Sequence, residues 1–123
     1  IGTMLRANVE AEKQNMTEKI RKVIYNVNGK VICEADYPSW EYKEASPLRD
    51  TMVSVYHKMF GNEPRIESIH AGLECGLFAA RIPELDMVSI GPDLEGVHTP
   101  LERMNVASAR RCWEYLVTLL GEL

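Results

Sequence analysis

The sequence lacks a long apolar run. Nowhere do hydrophobic residues approach the roughly 18–20 consecutive positions that a membrane helix requires, so no membrane is expected as a partner. Excess positive charge is also missing: 14 Lys and Arg stand against 18 Asp and Glu, a formal net charge of -4. Without a basic stripe to track phosphates, nucleic acid is not expected as a partner either. Cysteine is sparse and odd in number, with Cys33, Cys75 and Cys112 far apart and no CxxC pair. This argues against a disulfide framework and for a reducing compartment, and it leaves no cysteine-built structural zinc site. The opening Ile1-Gly2-Thr3-Met4 has neither the basic nor the apolar region of a signal peptide. No internal repeat or low-complexity segment is visible.

What is there is ordinary for a soluble globular chain. Hydrophobic residues make up 46% and charged residues 26% of 123 positions, enough for one domain or for parts of two. The patterning is that of an α/β protein. Residues 3–8 read as a short strand. Residues 9–28 have helical spacing, with Val9, Met16, Ile20, Val23, Ile24 and Val27 near one face and Gly29 placed for a left-handed cap. Residues 30–37 alternate as a strand. Pro38 and a polar stretch then break the pattern. Ser46-Pro47 is a strong helix start, and the helix is predicted over 47–60, burying Leu48, Met52, Val55, Tyr56 and Met59 before Gly61 stops it. A short strand is predicted over 65–70, a helix over 73–80, a buried strand over 87–90 and a loop over 93–104. The last helix starts near Val106, with Asn105 as cap. Its expected buried face is Val106, Ala109, Trp113, Leu116, Val117 and Leu120. Trp40 and Trp113 read as packing residues.

Residues 69–100 carry most of the chemistry. Glycine-punctuated loops flank the apolar run 87–90, and loops that leave buried strands are where α/β proteins place binding groups. His98 sits in the second loop, where Thr99-Pro100 would hold the backbone still. From spacing alone it is either a metal ligand or an exposed loop histidine. Arg6 has a planar fork that can hold a carboxylate, although many such arginines are simply solvated. Glu74 could meet a substrate amine or the N-terminal amides of its own helix; both readings stand. Gly72 and Gly76 could let the backbone approach a substrate. His70 reads as a strand-end residue that orients the loop, and Cys75 as a small buried residue.

Residues 70–76 read His-Ala-Gly-Leu-Glu-Cys-Gly, and residues 86–92 read Asp-Met-Val-Ser-Ile-Gly-Pro. A short loop follows, then His98-Thr99-Pro100 and a closing helix with Trp113. In this order, and in Tyr37-Pro38-Ser39-Trp40, the chain resembles the aminoacyl-histidine dipeptidases, cytosolic di-zinc peptidases of the carnosinase and carboxypeptidase G type. The resemblance covers essentially the whole chain. It implies an α/β fold in which 1–38 end a small lid domain and 39–123 form the C-terminal part of a zinc-exopeptidase-like catalytic domain. It implies that His98 binds one of two zinc ions (manganese or cobalt being the alternatives), and that Arg6 on the lid reaches the C-terminal carboxylate of a dipeptide. The implied reaction is hydrolysis of an Xaa-His-type dipeptide by a metal-activated water.

The family's His-x-Asp ligands and its adjacent Glu-Glu, which carries the general base, have no counterpart here. One histidine cannot hold a catalytic ion that takes about three protein ligands. The resemblance therefore implies that this chain is the closing portion of a longer enzyme, inactive alone, with the remainder of the parent chain and a dipeptide as its partners and a homodimer left open. The rival reading is a non-catalytic α/β interaction or dimerisation module, in which Glu74 and His98 are polar loop residues.

Overall fold

The computed structural model describes residues 1–34, 36–69 and 74–123. Four helices and one small strand pair occur among them: α1 (Glu10–Tyr25), α2 (Pro47–Phe60), α3 (Glu74–Arg81), β1 (Leu94–Glu95), β2 (Arg103–Met104) and α4 (Val106–Leu120). They fall into two units. Ile1–Glu44 and Ile66–Leu85 make the first; Ala45–Arg65 and Asp86–Leu123 make the second.

In the first unit α1 carries Glu10 and Glu12 in its opening turn and Lys22 in its last, which suits the helix dipole. The left-handed residue beyond it is Asn28 (φ 57), not Gly29 as the pattern predicts. Asparagine tolerates that conformation because its short amide bonds locally. Gly29 serves close approach instead: a Cβ there would lie 2.5 Å from Ile24 Cγ2. The buried residue of α1 is also unexpected. Lys13 is only 8% exposed, while Met16, Val23 and Val27 on the predicted apolar face are open to solvent.

Burying Lys13 is feasible because its charge is matched. Nζ donates to Asp36 Oδ1 and to the Tyr37 carbonyl, both at 2.8 Å, and pairs with Glu10 Oε2 at 3.0 Å. Glu10 Oε2 also accepts from the Ser39 amide at 3.0 Å, and Ser39 Oγ donates to the Ala7 carbonyl at 2.9 Å. These bonds lay the 36–39 segment along the start of α1. Gly76 of α3 then sits against it so closely that a Cβ would be 2.5 Å from the Pro38 carbonyl oxygen. The expectation that Gly76 makes room for a substrate is thus corrected: the backbone it admits is that of Pro38.

In the second unit α2 keeps the predicted limits. Ser46 Oγ accepts from the Arg49 amide at 3.1 Å, and Gly61 (φ 73) ends the helix in the left-handed conformation. Asp86 reinforces this start: Oδ1 accepts from Ser46 Oγ at 2.6 Å and Oδ2 from the Leu48 amide at 2.9 Å. Helix α2 packs on α4 through Met52, Val55, Tyr115 and Leu119, with Leu48, Tyr56, Met59 and Val88 around them. Tyr115 hydroxyl donates to the Met52 carbonyl at 2.7 Å, and its ring meets Tyr56 edge-on at 5.6 Å.

The predicted phase of α4 is wrong for this packing. Its buried side is Ser108, Tyr115 and Leu119, whereas Trp113 is 65% exposed and Val106, Val117 and Leu120 are also exposed. The helix carries two apolar stripes, and α2 covers the one with the tyrosine. The strands predicted at 3–8, 30–37, 65–70 and 87–90 carry no ladder among the described residues; His70 and Ala35 lie outside them. A strand exists only through its neighbour's hydrogen bonds, and no ladder partner for these segments occurs among the described residues. Within 87–90, Ile90 is exposed, so that burial is corrected as well. Conversely, 93–104 contains the only ladder among the described residues, antiparallel Leu94↔Met104 and Glu95↔Arg103.

The Lys13 cluster makes a pH prediction. Burial pushes the Glu10 carboxyl up, but the Ser39 amide and Lys13 outweigh it and lower the pKa from 4.5 to about 2. The stabilisation is therefore present above about pH 4.5 and is lost as pH falls towards 2. Its size is modest, because the Glu10 side chain is 35% exposed and solvent screens it. An NMR titration of the Glu10 carboxyl is expected to show a midpoint near 2, and Lys13→Met is expected to move it upward. A wild-type midpoint at the ordinary carboxylate value would mean the cluster does not form.

Candidate functional site

The loop between β1 and β2 is bound to the scaffold at its base. Asn105 N donates to the Asp93 carbonyl at 2.9 Å, and Asp93 N donates to Ser108 Oγ at 2.8 Å. Ser108 is buried in the first turn of α4, where Asn105 Oδ1 accepts from its amide at 3.0 Å. Across the strand pair Arg103 grips the Glu95 carboxylate, Nε donating to Oε2 at 2.7 Å.

Inside this frame the chain turns tightly. Gly96 (φ 62) starts the turn, and its carbonyl accepts from Thr99 N at 3.1 Å and Thr99 Oγ1 at 2.6 Å. Thr99 Oγ1 in turn accepts from Leu101 N at 3.2 Å, and the Thr99 carbonyl from Glu102 N at 3.1 Å. His98 follows in the left-handed conformation, φ 63, which is uncommon for a residue with a Cβ. Its amide donates to Glu102 Oε2 at 2.8 Å. The left-handed conformation is unfavourable for a residue with a Cβ, and the Glu102 side chain opposes that cost by accepting the His98 amide. The His98 imidazole is exposed and makes no hydrogen bond with another described residue.

The other predicted site residues lie in the first unit. Arg6 is exposed and lies outside any helix or strand, and its guanidinium makes no hydrogen bond or ion pair with a described residue. Glu74 is the first residue of α3 and is exposed, where its charge complements the helix N-terminus. Gly72 lies outside the described residues, as does His70. No group of three or more His, Cys, Asp or Glu side chains among the described residues could hold a metal ion. His98 has the donor chemistry of one ligand, and the described residues do not complete a site around it. Glu102 and Gly96 were not singled out by sequence reasoning. Thr99-Pro100-Leu101-Glu102 does carry a signal, the Thr-x-x-Glu pattern whose acidic side chain reaches back to a preceding amide.

The family model described as peptidase family M20/M25/M40 matches residues 6–122. The chain belongs to this family. A cytosol non-specific dipeptidase of Escherichia coli is 34% identical over all 123 residues of the chain, which correspond to 25% of that protein. The crystal structure of an aminoacylhistidine dipeptidase from Vibrio alginolyticus superposes with a TM-score of 0.78 at 28% identity, covering 95% of this chain and 24% of that one. The chain spans about a quarter of the length of these relatives, so the α/β fold it shares with them is that of one portion of the M20/M25/M40 enzymes. No helix among the described residues is long and apolar enough to cross a membrane.

The turn around His98 depends on Gly96. A Cβ at Gly96 would be strained at φ +62 and would lie 3.1 Å from the Leu101 carbonyl oxygen. Gly96→Ala is expected to lower stability by about 1–2 kcal/mol, read by urea unfolding followed through tryptophan fluorescence. Stability equal to wild type would show that the turn does not need a left-handed residue at 96.

Proposed function

We propose that this chain is the C-terminal portion of a cytoplasmic, metal-dependent dipeptidase that hydrolyses Xaa-His-type dipeptides. In this reading 1–38 end the lid and 39–123 belong to the catalytic domain. The observation that carries it is His98: within a family of peptidases, a free imidazole stands on a loop held in a costly backbone conformation. Strain of that kind persists where the surroundings over-determine it, and it clusters at functional sites.

His98 supplies one ligand to one of two zinc ions, with manganese or cobalt as alternatives. The remaining ligands and the general base come from the rest of the parent chain. When bound, such ions activate water and polarise the scissile carbonyl. Arg6 holds the substrate's C-terminal carboxylate through its planar fork, so that the lid measures substrate length. Glu74 meets the free amine, and Gly72 lets the backbone approach. A homodimer is compatible with this arrangement. The chain alone, with one ligand and no base, has no peptidase activity.

In the full-length parent, His98→Ala is expected to abolish nearly all turnover and to remove one metal ion per active site, with the fold intact by circular dichroism. Full metal content with normal kcat would make His98 an ordinary loop residue.

Arg6→Ala is expected to lower kcat/KM for a dipeptide about ten- to a hundredfold, the size of one charge-assisted hydrogen bond, without changing metal content. Lysine keeps the charge but loses the fork and is expected to rescue poorly. Wild type should discriminate against a dipeptide amide, and the Arg6 variant should discriminate much less. The same acid-to-amide preference in both would remove Arg6 from carboxylate recognition.

A further inference from the structure

We infer that Glu102 is a positioning residue for His98, aiming its imidazole by holding its backbone amide. The inference rests on the reading of His98 as a ligand given above. The Glu102 side chain reaches back four residues to the His98 amide at 2.8 Å. It is free to do so because the adjacent Arg103 is engaged by Glu95 across the strand pair. Its own amide is held by the Thr99 carbonyl at 3.1 Å, so the carboxylate starts from a fixed backbone. Pro100 fixes one further torsion between the two residues.

His98 at φ 63 depends on this contact more than a residue in an ordinary conformation would. A residue with a Cβ relaxes out of the left-handed region when nothing holds it there, and the direction of its side chain changes with φ. Loss of the carboxylate therefore re-aims the imidazole without touching it. An exposed glutamate that touches only a ligand's backbone amide can in this way control that ligand's geometry, as outer partners of metal-binding residues do.

The test uses the full-length parent, with zinc affinity read by competition with a chelating dye. Glu102→Ala is expected to weaken zinc binding at the affected position about 10–100-fold. Glu102→Gln keeps an acceptor oxygen and is expected to recover most of the affinity. His98→Ala is the reference for complete loss, and thermal melting confirms that each variant is folded. Should Glu102→Ala melt as an unfolded chain, Glu102→Asp, one methylene shorter and unable to make the same reach to the His98 amide, takes its place: weakened zinc binding supports the role and wild-type affinity overturns it. Wild-type affinity in Glu102→Ala, with the ion lost in His98→Ala, would overturn the positioning role and leave His98 a ligand. Gln as weak as Ala would overturn it also, because a retained acceptor would then not suffice. Undiminished affinity in His98→Ala would overturn the reading of His98 itself, and this inference with it.

Discussion

The Asp86 carboxylate caps α2 through the Ser46 hydroxyl and the Leu48 amide, and much of the second unit follows from that contact. It joins the two pieces of chain from which the unit is made, 45–65 and 86–123. Two residues on, Val88 packs against the Met52, Val55, Tyr115 and Leu119 core. Five residues further, Asp93 is bonded to Asn105 and Ser108 at the start of α4. The chain from 86 to 93 is thus tied at one end to α2 and at the other to α4. The loop that bears His98 begins where this tie ends. A helix cap, ordinarily a local device worth about 1 kcal/mol, here sets the position from which the candidate site projects.

From that base the loop narrows the freedom of one histidine step by step. Backbone pairing of β1 with β2 fixes the ends, the Arg103–Glu95 pair adds a cross-strand contact, and Thr99 fills the turn with its own hydroxyl. What remains is a single uncommon φ at His98 and a single carboxylate that holds it. The loop thus fixes the His98 backbone and leaves its imidazole exposed. Arg6, in the first unit, differs: it is exposed and lies outside any helix or strand, with no partner for its guanidinium among the described residues.

Helix ends were legible in the sequence because they are encoded locally. Ser46-Pro47, Gly61 and Asn105 act within a turn of themselves, and α2 and α4 start where these residues place them. Helix faces were less legible. In α4 both a Tyr115–Leu119 stripe and a Trp113–Val117–Leu120 stripe have helical spacing, and only the partner helix chooses between them. Lys13 was unreadable as a core residue because its burial depends on Asp36, distant in sequence. Strands were least legible: the extended segments carry the right residue types, but a ladder needs a second strand. His98 was reached through the motif around it, while Glu102 became visible only when the turn brought it back onto the His98 amide.

The most direct test of the whole account is an anomalous-scattering map of the full-length parent crystallised with zinc, recorded at the zinc absorption edge. The account predicts a peak at ligand distance from the His98 imidazole, about 2.0–2.1 Å, with the Glu102 carboxylate still on the His98 amide. Zinc peaks present in the enzyme but remote from His98 would contradict it.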